Sequence, residues 1–160
     1  MYDYQPPRQN AIARLLTVTL FAISAACFVL SSLLPKLAVI PQAVGLILLV
    51  PAIQLITRYV VTRYLYRLCP YEDGNVDLEI YAYRGGARMQ LVCRVGLDEL
   101  TAVKVLCADN AKPTHGIRRY NYHPDMAPRE GLVLSVANGD GTCEILLALD
   151  ERLFAILTGN

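Results

Sequence analysis

The sequence predicts a membrane-spanning helical hairpin followed by a mainly-β domain, which is a bent antiparallel sheet or half-open barrel with one C-terminal helix. Two runs without any charged residue, 15–34 and 37–57, each have about the 20 residues that a bilayer-spanning helix needs. Beyond Pro70 the apolar residues change from helical spacing to alternation, which is typical of strands. A last apolar stripe near the C-terminus returns to helical spacing.

Composition limits the function classes. The chain has 160 residues, of which 54% are hydrophobic and 18% are charged, so one soluble domain plus a membrane segment is expected. Its net charge of +1 gives no general attraction to nucleic acid, and no tract of five or six like charges occurs. Nucleic acid is therefore excluded as an expected partner.

The domain boundaries follow from these patterns. Residues 1–11 are polar, contain two adjacent prolines and predict a short tail without regular structure. The two transmembrane helices occupy residues 12–68, at about 12–34 and 39–62, with the second helix extending to 68. Residues 70–160 form the β domain. A signal peptide is the alternative for the first run, but that run continues past Cys27 and a second run follows at once, which favours the hairpin.

Basic residues predict the orientation. Arginines flank the outer ends of both spans, whereas the connector between the spans holds Lys36 alone. By the positive-inside rule the chain is a multi-pass protein of the cell membrane with both termini in the cytoplasm. The segment after the second span mixes arginine with tyrosine, a composition typical of anchoring at the membrane interface. The expected anchors are Arg58, Tyr59, Arg63, Tyr64, Tyr66 and Arg67.

Alternation predicts two hairpins in the β domain. The first turns at Gly85 and Gly86, and the second turns near residues 138–141. The inward-facing residues of the first hairpin are expected to be Val76, Leu78, Ile80, Ala82, Met89, Leu91, Cys93 and Val95. Asp150 and Gly159 are placed to cap the two ends of the C-terminal helix.

No catalytic or metal-binding pattern is present in the sequence. His115 and His123 lack the short ligand spacings of a zinc site, and no serine lies in a nucleophile-elbow motif. The glycine pairs lie in turns between strands rather than before a helix, so they are not phosphate-binding loops. We expect neither an enzyme nor a cofactor or metal.

The chain resembles small Gram-positive bacterial membrane proteins that carry a pleckstrin-homology-like domain after two N-terminal helices. The residues that carry the resemblance are Tyr120, Asn121 and Tyr122, the prolines Pro124 and Pro128, and the stretch 145–153 before the last helix. At 147–150 this chain has Leu-Ala-Leu-Asp where such proteins often have Glu-Pro. The resemblance implies a non-catalytic, pleckstrin-homology-like barrel.

The sequence leaves two alternative functions for the β domain. The first is a non-enzymatic, membrane-tethered interaction or scaffold module, in which Tyr81 and Tyr83 contact a protein partner or a second copy of the chain. The second is binding of anionic lipid headgroups by basic side chains of the β domain. The expected lipid contacts are Arg84 and Arg88, at the loop where pleckstrin-homology domains hold phosphorylated headgroups, together with Arg118 and Arg119.

Overall fold

The computed structural model describes residues 2–7, 11–70, 75–85, 88–138 and 141–159, and these divide into two compact units. One unit comprises Gln9–Thr62 and is helical. The other comprises Met1–Arg8 together with Arg63–Asn160 and holds the strands. The helical unit is thus inserted near the start of the β unit in the sequence.

The helical unit is a hairpin of apolar helices. Helix α1 (Ala11–Leu33) is followed by a short 3₁₀ turn, Pro35–Leu37, and by helix α2 (Val39–Leu55), which continues as a π-helical segment, Ile56–Val61. By length and composition, Ala11–Leu33 and Val39–Val61 are each able to cross a membrane. Most of their large apolar side chains are exposed, as lipid-facing residues are.

Small residues bring the two helices together. Ala13, Thr17, Ser24 and Ser31 are buried on α1, and Gly45 and Ala52 are buried on α2. Ser24 Oγ donates a hydrogen bond to the Gly45 carbonyl at 2.9 Å. Close approach of backbones at small residues is the usual way in which helices associate without a hydrophobic drive.

The β unit contains two sheets. In the described part of the chain, the first sheet has the order β1-β2-β3-β4 and the second the order β5-β7-β8-β6. Their bounds are β1 (Tyr2–Tyr4), β2 (Thr62–Pro70), β3 (Val76–Arg84), β4 (Gln90–Gly96), β5 (Leu100–Val105), β6 (Arg118–Asn121), β7 (Leu132–Asn138) and β8 (Gly141–Leu147). Helix α3 (Glu151–Thr158) ends the chain. The general layout of two long apolar helices, two sheets and a C-terminal helix is therefore as predicted.

The core lies between the inner faces of the sheets. Its fully buried side chains come from both sheets and from α3, and are Tyr66, Leu78, Ile80, Leu132, Leu134, Val136, Ile145, Leu147 and Leu153. Asp150 caps α3 as predicted, because its carboxylate accepts a hydrogen bond from the Leu153 amide at 2.9 Å. Gly159 ends the helix with a φ of 73°, the left-handed conformation expected there.

Two predicted boundaries are wrong. The second helix does not extend to residue 68, since Thr62–Pro70 is strand β2 and pairs with β1. The N-terminal segment is not an unstructured tail, since Tyr2–Tyr4 is strand β1. Alternate residues of β2 enter the core, and burial of their apolar side chains outweighs continuation of the helix. The β domain accordingly includes residues on both sides of the helical hairpin.

Candidate functional site

A cleft opens between the outer strands of the two sheets. β4 is an end strand of the first sheet and β6 is an end strand of the second, as far as the described residues show. The cleft has a volume of about 480 Å³. It is lined by Val92, Cys93, Arg94, Val95, Glu99, Arg118, Tyr120, Tyr122, Val136, Gly141, Thr142, Cys143 and Ile145. Outer strands carry backbone donors and acceptors that no neighbouring strand satisfies, so this site offers an extended ligand both hydrogen bonds and pockets.

Tyr122 lines the cleft and contacts both sheets. It follows β6, and its hydroxyl donates a long hydrogen bond of 3.5 Å to the Val92 carbonyl on β4. Its ring packs edge-on against Tyr64, with ring centroids 5.9 Å apart. Burial, with a smaller effect of the neighbouring Cys93, raises the pKa of Tyr122 to about 12, so the phenol stays neutral at physiological pH.

Two thiols lie in the wall of the cleft. Cys93 and Cys143 are both partly buried and pack against the core. Burial raises the pKa of each thiol, which keeps both protonated near neutral pH. A protonated thiol is a poor nucleophile. Across the described residues, no group of three or more histidine, cysteine, aspartate or glutamate side chains is arranged to hold a metal ion.

The charged residues of the cleft differ in the groups that they contact. Arg94 forms an ion pair with Asp77 at 2.6 Å. Glu99 accepts a hydrogen bond from the Gly96 amide at 3.4 Å. Arg118 is exposed and lies over the ring of Tyr120, with its guanidinium carbon 5.0 Å from the ring centroid. Arg118 and Tyr120 therefore form a cation–π pair at the rim.

Arg119, a predicted lipid contact, has a different role. It forms an ion pair with Glu144 at 2.7 Å, and the two side chains are 8% and 6% exposed. Its guanidinium also donates to the carbonyls of Asn110, Ala111 and Lys112. Although burial opposes the effect, hydrogen bonds from Thr114 and Arg119 lower the pKa of Glu144. The prediction for Arg119 is wrong, because this side chain is buried and fixes the loop before β6.

Arg84 and Arg88 lie at the tip of the β3–β4 hairpin and are exposed. Beside them, Met89 is 55% exposed and Leu91 is 45% exposed, so the prediction that these two residues face the core is wrong. A register shift between Ile80 and Tyr81 interrupts the regular alternation of the hairpin. The exposed residues Arg84, Arg88, Met89 and Leu91 give the described part of the hairpin tip an apolar and basic surface.

Tyr81 and Tyr83, the predicted protein contacts, are partly exposed residues of β3. The Tyr81 hydroxyl donates to Glu79 at 2.7 Å, and the guanidinium of Arg67 lies 5.5 Å from the Tyr81 ring centroid. Tyr81 is thus held in a polar cluster on the outer face of the first sheet.

The predicted interface anchors divide between the two units. Arg58 and Tyr59 lie in the π-helical segment and form a cation–π pair at 5.6 Å. Arg63 is exposed on β2, and Arg67 pairs with Asp3 on β1 at 2.9 Å. Tyr64 and Tyr66 are 9% and 0% exposed and belong to the core, so the prediction that they anchor the chain at a membrane surface is wrong.

Comparison with known families finds no model that matches the chain, and comparison with curated proteins and with solved structures finds no significant match.

Proposed function

We propose that this chain is a non-enzymatic, membrane-tethered interaction module whose β domain binds a protein partner in the cleft between β4 and β6. The observation that carries the proposal is the pairing pattern: two end strands face one cleft, where a backbone segment of another protein can add to a sheet. Two sheets followed by a C-terminal helix also suit a pleckstrin-homology-like domain, which we propose as its class.

The helical hairpin of α1 and α2, which would tether the β domain to a membrane, supports the same proposal. The apolar faces of α1 and α2 suit lipid, and the arginines outside both spans favour a cytoplasmic β domain in a cell membrane. A tether raises the local concentration of the β domain at the membrane, so a modest affinity for a membrane-associated partner is sufficient for binding.

Site-specific cross-linking in intact membranes tests the cleft. A photoreactive phenylalanine analogue in place of Val92 on β4 is expected to form a covalent adduct with a distinct protein, identified by mass spectrometry. The same analogue in place of Lys104, an exposed residue of β5, is the matched control and is expected to form none.

A cleft-filling variant gives the second control. Thr142 is exposed and lines the cleft, so Thr142→Trp is expected to remove the Val92 adduct. Equal adducts from positions 92 and 104, or a Val92 adduct that survives Thr142→Trp, would place the interaction elsewhere. An adduct between two copies of this chain would identify the partner as a second copy.

The hairpin tip favours a second candidate function, binding of anionic lipid. Arg84 and Arg88 adjoin the exposed Met89 and Leu91, a combination that suits headgroups and the acyl boundary together. The full-length protein in nanodiscs is expected to bind anionic vesicles more weakly after Arg84→Gln and Arg88→Gln, and more weakly still at high salt. Unchanged, salt-independent binding would rule this function out.

A further inference from the structure

We infer that the β4–β6 cleft recognises an extended peptide segment with alternating apolar side chains and one carboxylate side chain that pairs with Arg118. This inference rests on the proposed function and adds the chemistry of the partner.

The shape of the cleft sets the form of the ligand. Four consecutive residues of β4, from Val92 to Val95, line it, which is about 13 Å of extended chain at 3.3 Å per residue. A segment of about four to six residues therefore covers the cleft when it lies along β4. Two side chains of the lining, Val92 and Tyr120, are 39% and 38% exposed, so alternate apolar side chains of an extended ligand have apolar groups to contact.

The charges of the cleft select a carboxylate. Of the two arginines in the lining, Arg94 is paired with Asp77. Arg118 is the other, and within the described residues no carboxylate lies within 4.0 Å of its guanidinium. Glu99 is the carboxylate of the lining and accepts a hydrogen bond from the Gly96 amide. The guanidinium of Arg118 lies over the Tyr120 ring, and the side chain is exposed, so its donor groups are accessible to a ligand. A carboxylate of the ligand completes this site with charge-assisted hydrogen bonds.

The test uses a synthetic library of blocked hexapeptides in which apolar residues alternate with randomised ones. Peptides retained by the full-length protein in detergent micelles are sequenced. Asp or Glu is expected to be enriched at one randomised position about three- to tenfold over Asn or Gln, since the pair is only partly shielded from water. Arg118→Gln is expected to abolish this preference, and Arg118→Glu to replace it with a preference for Lys or Arg.

One further measurement locates the bound peptide, and a second variant serves as the control for the charge preference. Modification of Cys93 and Cys143 by a maleimide is expected to slow when an enriched peptide is bound, in a variant whose other cysteines are serine. Arg129→Gln removes an exposed arginine outside the cleft and is expected to leave the peptide preference unchanged.

Enrichment without a charge preference, or a preference unchanged by Arg118→Glu, would overturn the assignment of Arg118 while leaving the cleft as an interaction site. No enrichment of any peptide would overturn the extended-segment inference. The Val92 cross-link is independent of the library, so its absence would instead count against the proposed function.

Discussion

At the residue scale, the hydroxyl of Tyr66 explains why the core contains a tyrosine. The side chain is 0% exposed, and its hydroxyl donates to the Tyr122 carbonyl at 3.0 Å and accepts from the Ala148 amide at 3.2 Å. A buried hydroxyl without partners would cost roughly 1–3 kcal/mol, so these two bonds are what make its burial favourable. They also tie β2 of the first sheet to the segments that follow β6 and β8 in the second.

His123 gives the β domain a pH-dependent stability. It is 7% exposed, and its Nδ1 accepts a hydrogen bond from the Asp125 amide at 2.9 Å. Burial lowers its pKa below the ordinary 6.5. Below that ordinary value the unfolded chain binds a proton that the folded chain does not, so the free energy of unfolding falls as the pH falls through 6.5 toward the folded pKa. The loss is about 1.4 kcal/mol for each unit by which the pKa is lowered.

Thermal unfolding of the full-length protein in detergent at pH 7.5 and pH 5.5 measures this effect. We expect the fall in unfolding temperature between these pH values to be smaller in His123→Gln than in the parent. His115→Gln, which changes an exposed histidine, is expected to keep the parental fall. The same fall in all three proteins would assign the pH dependence to other groups.

At the element scale, β2 shows where sequence patterns mislead. The stretch after the second span contains arginines and tyrosines in the order expected for a helix leaving a membrane. The same stretch alternates, so that Tyr64, Tyr66 and Leu68 face the core while Arg63 and Arg67 face away from it. The stretch therefore fits both a helix that leaves a membrane and a strand, and its pairing with β1 and β3 favours the strand. That pairing joins Tyr4 to Tyr66, which is too distant in sequence for local patterns to reveal.

The hairpins and the C-terminal helix were predictable because their signals are local: alternation, turn residues and a capping aspartate. The cleft was not. It exists because β6 pairs in parallel with β8, with Arg118 opposite Cys143. Nothing in the four-residue strand β6 specifies that partner, and the sequence therefore indicated Arg118 as a charged residue without indicating what it faces.

The contact between α1 and α2 can be trapped covalently. A Cβ atom added at Gly45 would lie 3.4 Å from Cys27 Cβ, close to the separation of about 3.5–4.5 Å found in disulfides. Gly45→Cys is therefore expected to form a disulfide with Cys27 when diamide is added to the protein in membranes. Peptide mapping under non-reducing conditions detects the bond, in a background where the other cysteines are serine.

Val44→Cys is the matched control for this cross-link. Val44 precedes Gly45 and is 43% exposed, so its side chain does not face the helix contact. Equal cross-linking from positions 44 and 45, or none from position 45, would contradict the packing of the hairpin through Ser24 and Gly45.

At the scale of the whole molecule, the helical hairpin is an insertion within a sheet. β1 precedes α1, β2 follows the π-helical segment, and the two strands pair antiparallel. Strand β1 also forms hydrogen bonds with the residues just before α3. The Tyr2 hydroxyl donates to Asp150, the cap of α3, and the Tyr4 hydroxyl donates to the Leu149 carbonyl at 3.3 Å. A chain that crosses a membrane between two paired strands has to return to the side from which it left.

This pairing predicts which positions share a membrane face. Gln5, just after β1, and Cys107, after β5, are both exposed and belong to the β unit, whereas Lys36 lies between the helices. In separate single-cysteine proteins, Gln5→Cys and native Cys107 are expected to react with a membrane-impermeant maleimide in inside-out vesicles. Lys36→Cys is expected to react in intact cells instead, because the connector lies on the other face. If Gln5→Cys and Cys107 reacted on opposite faces, the β1–β2 pairing would be contradicted. If all three positions reacted on one face, the two membrane spans would be contradicted. If all three reacted with the reverse orientation, only the orientation assigned from the arginines would be contradicted.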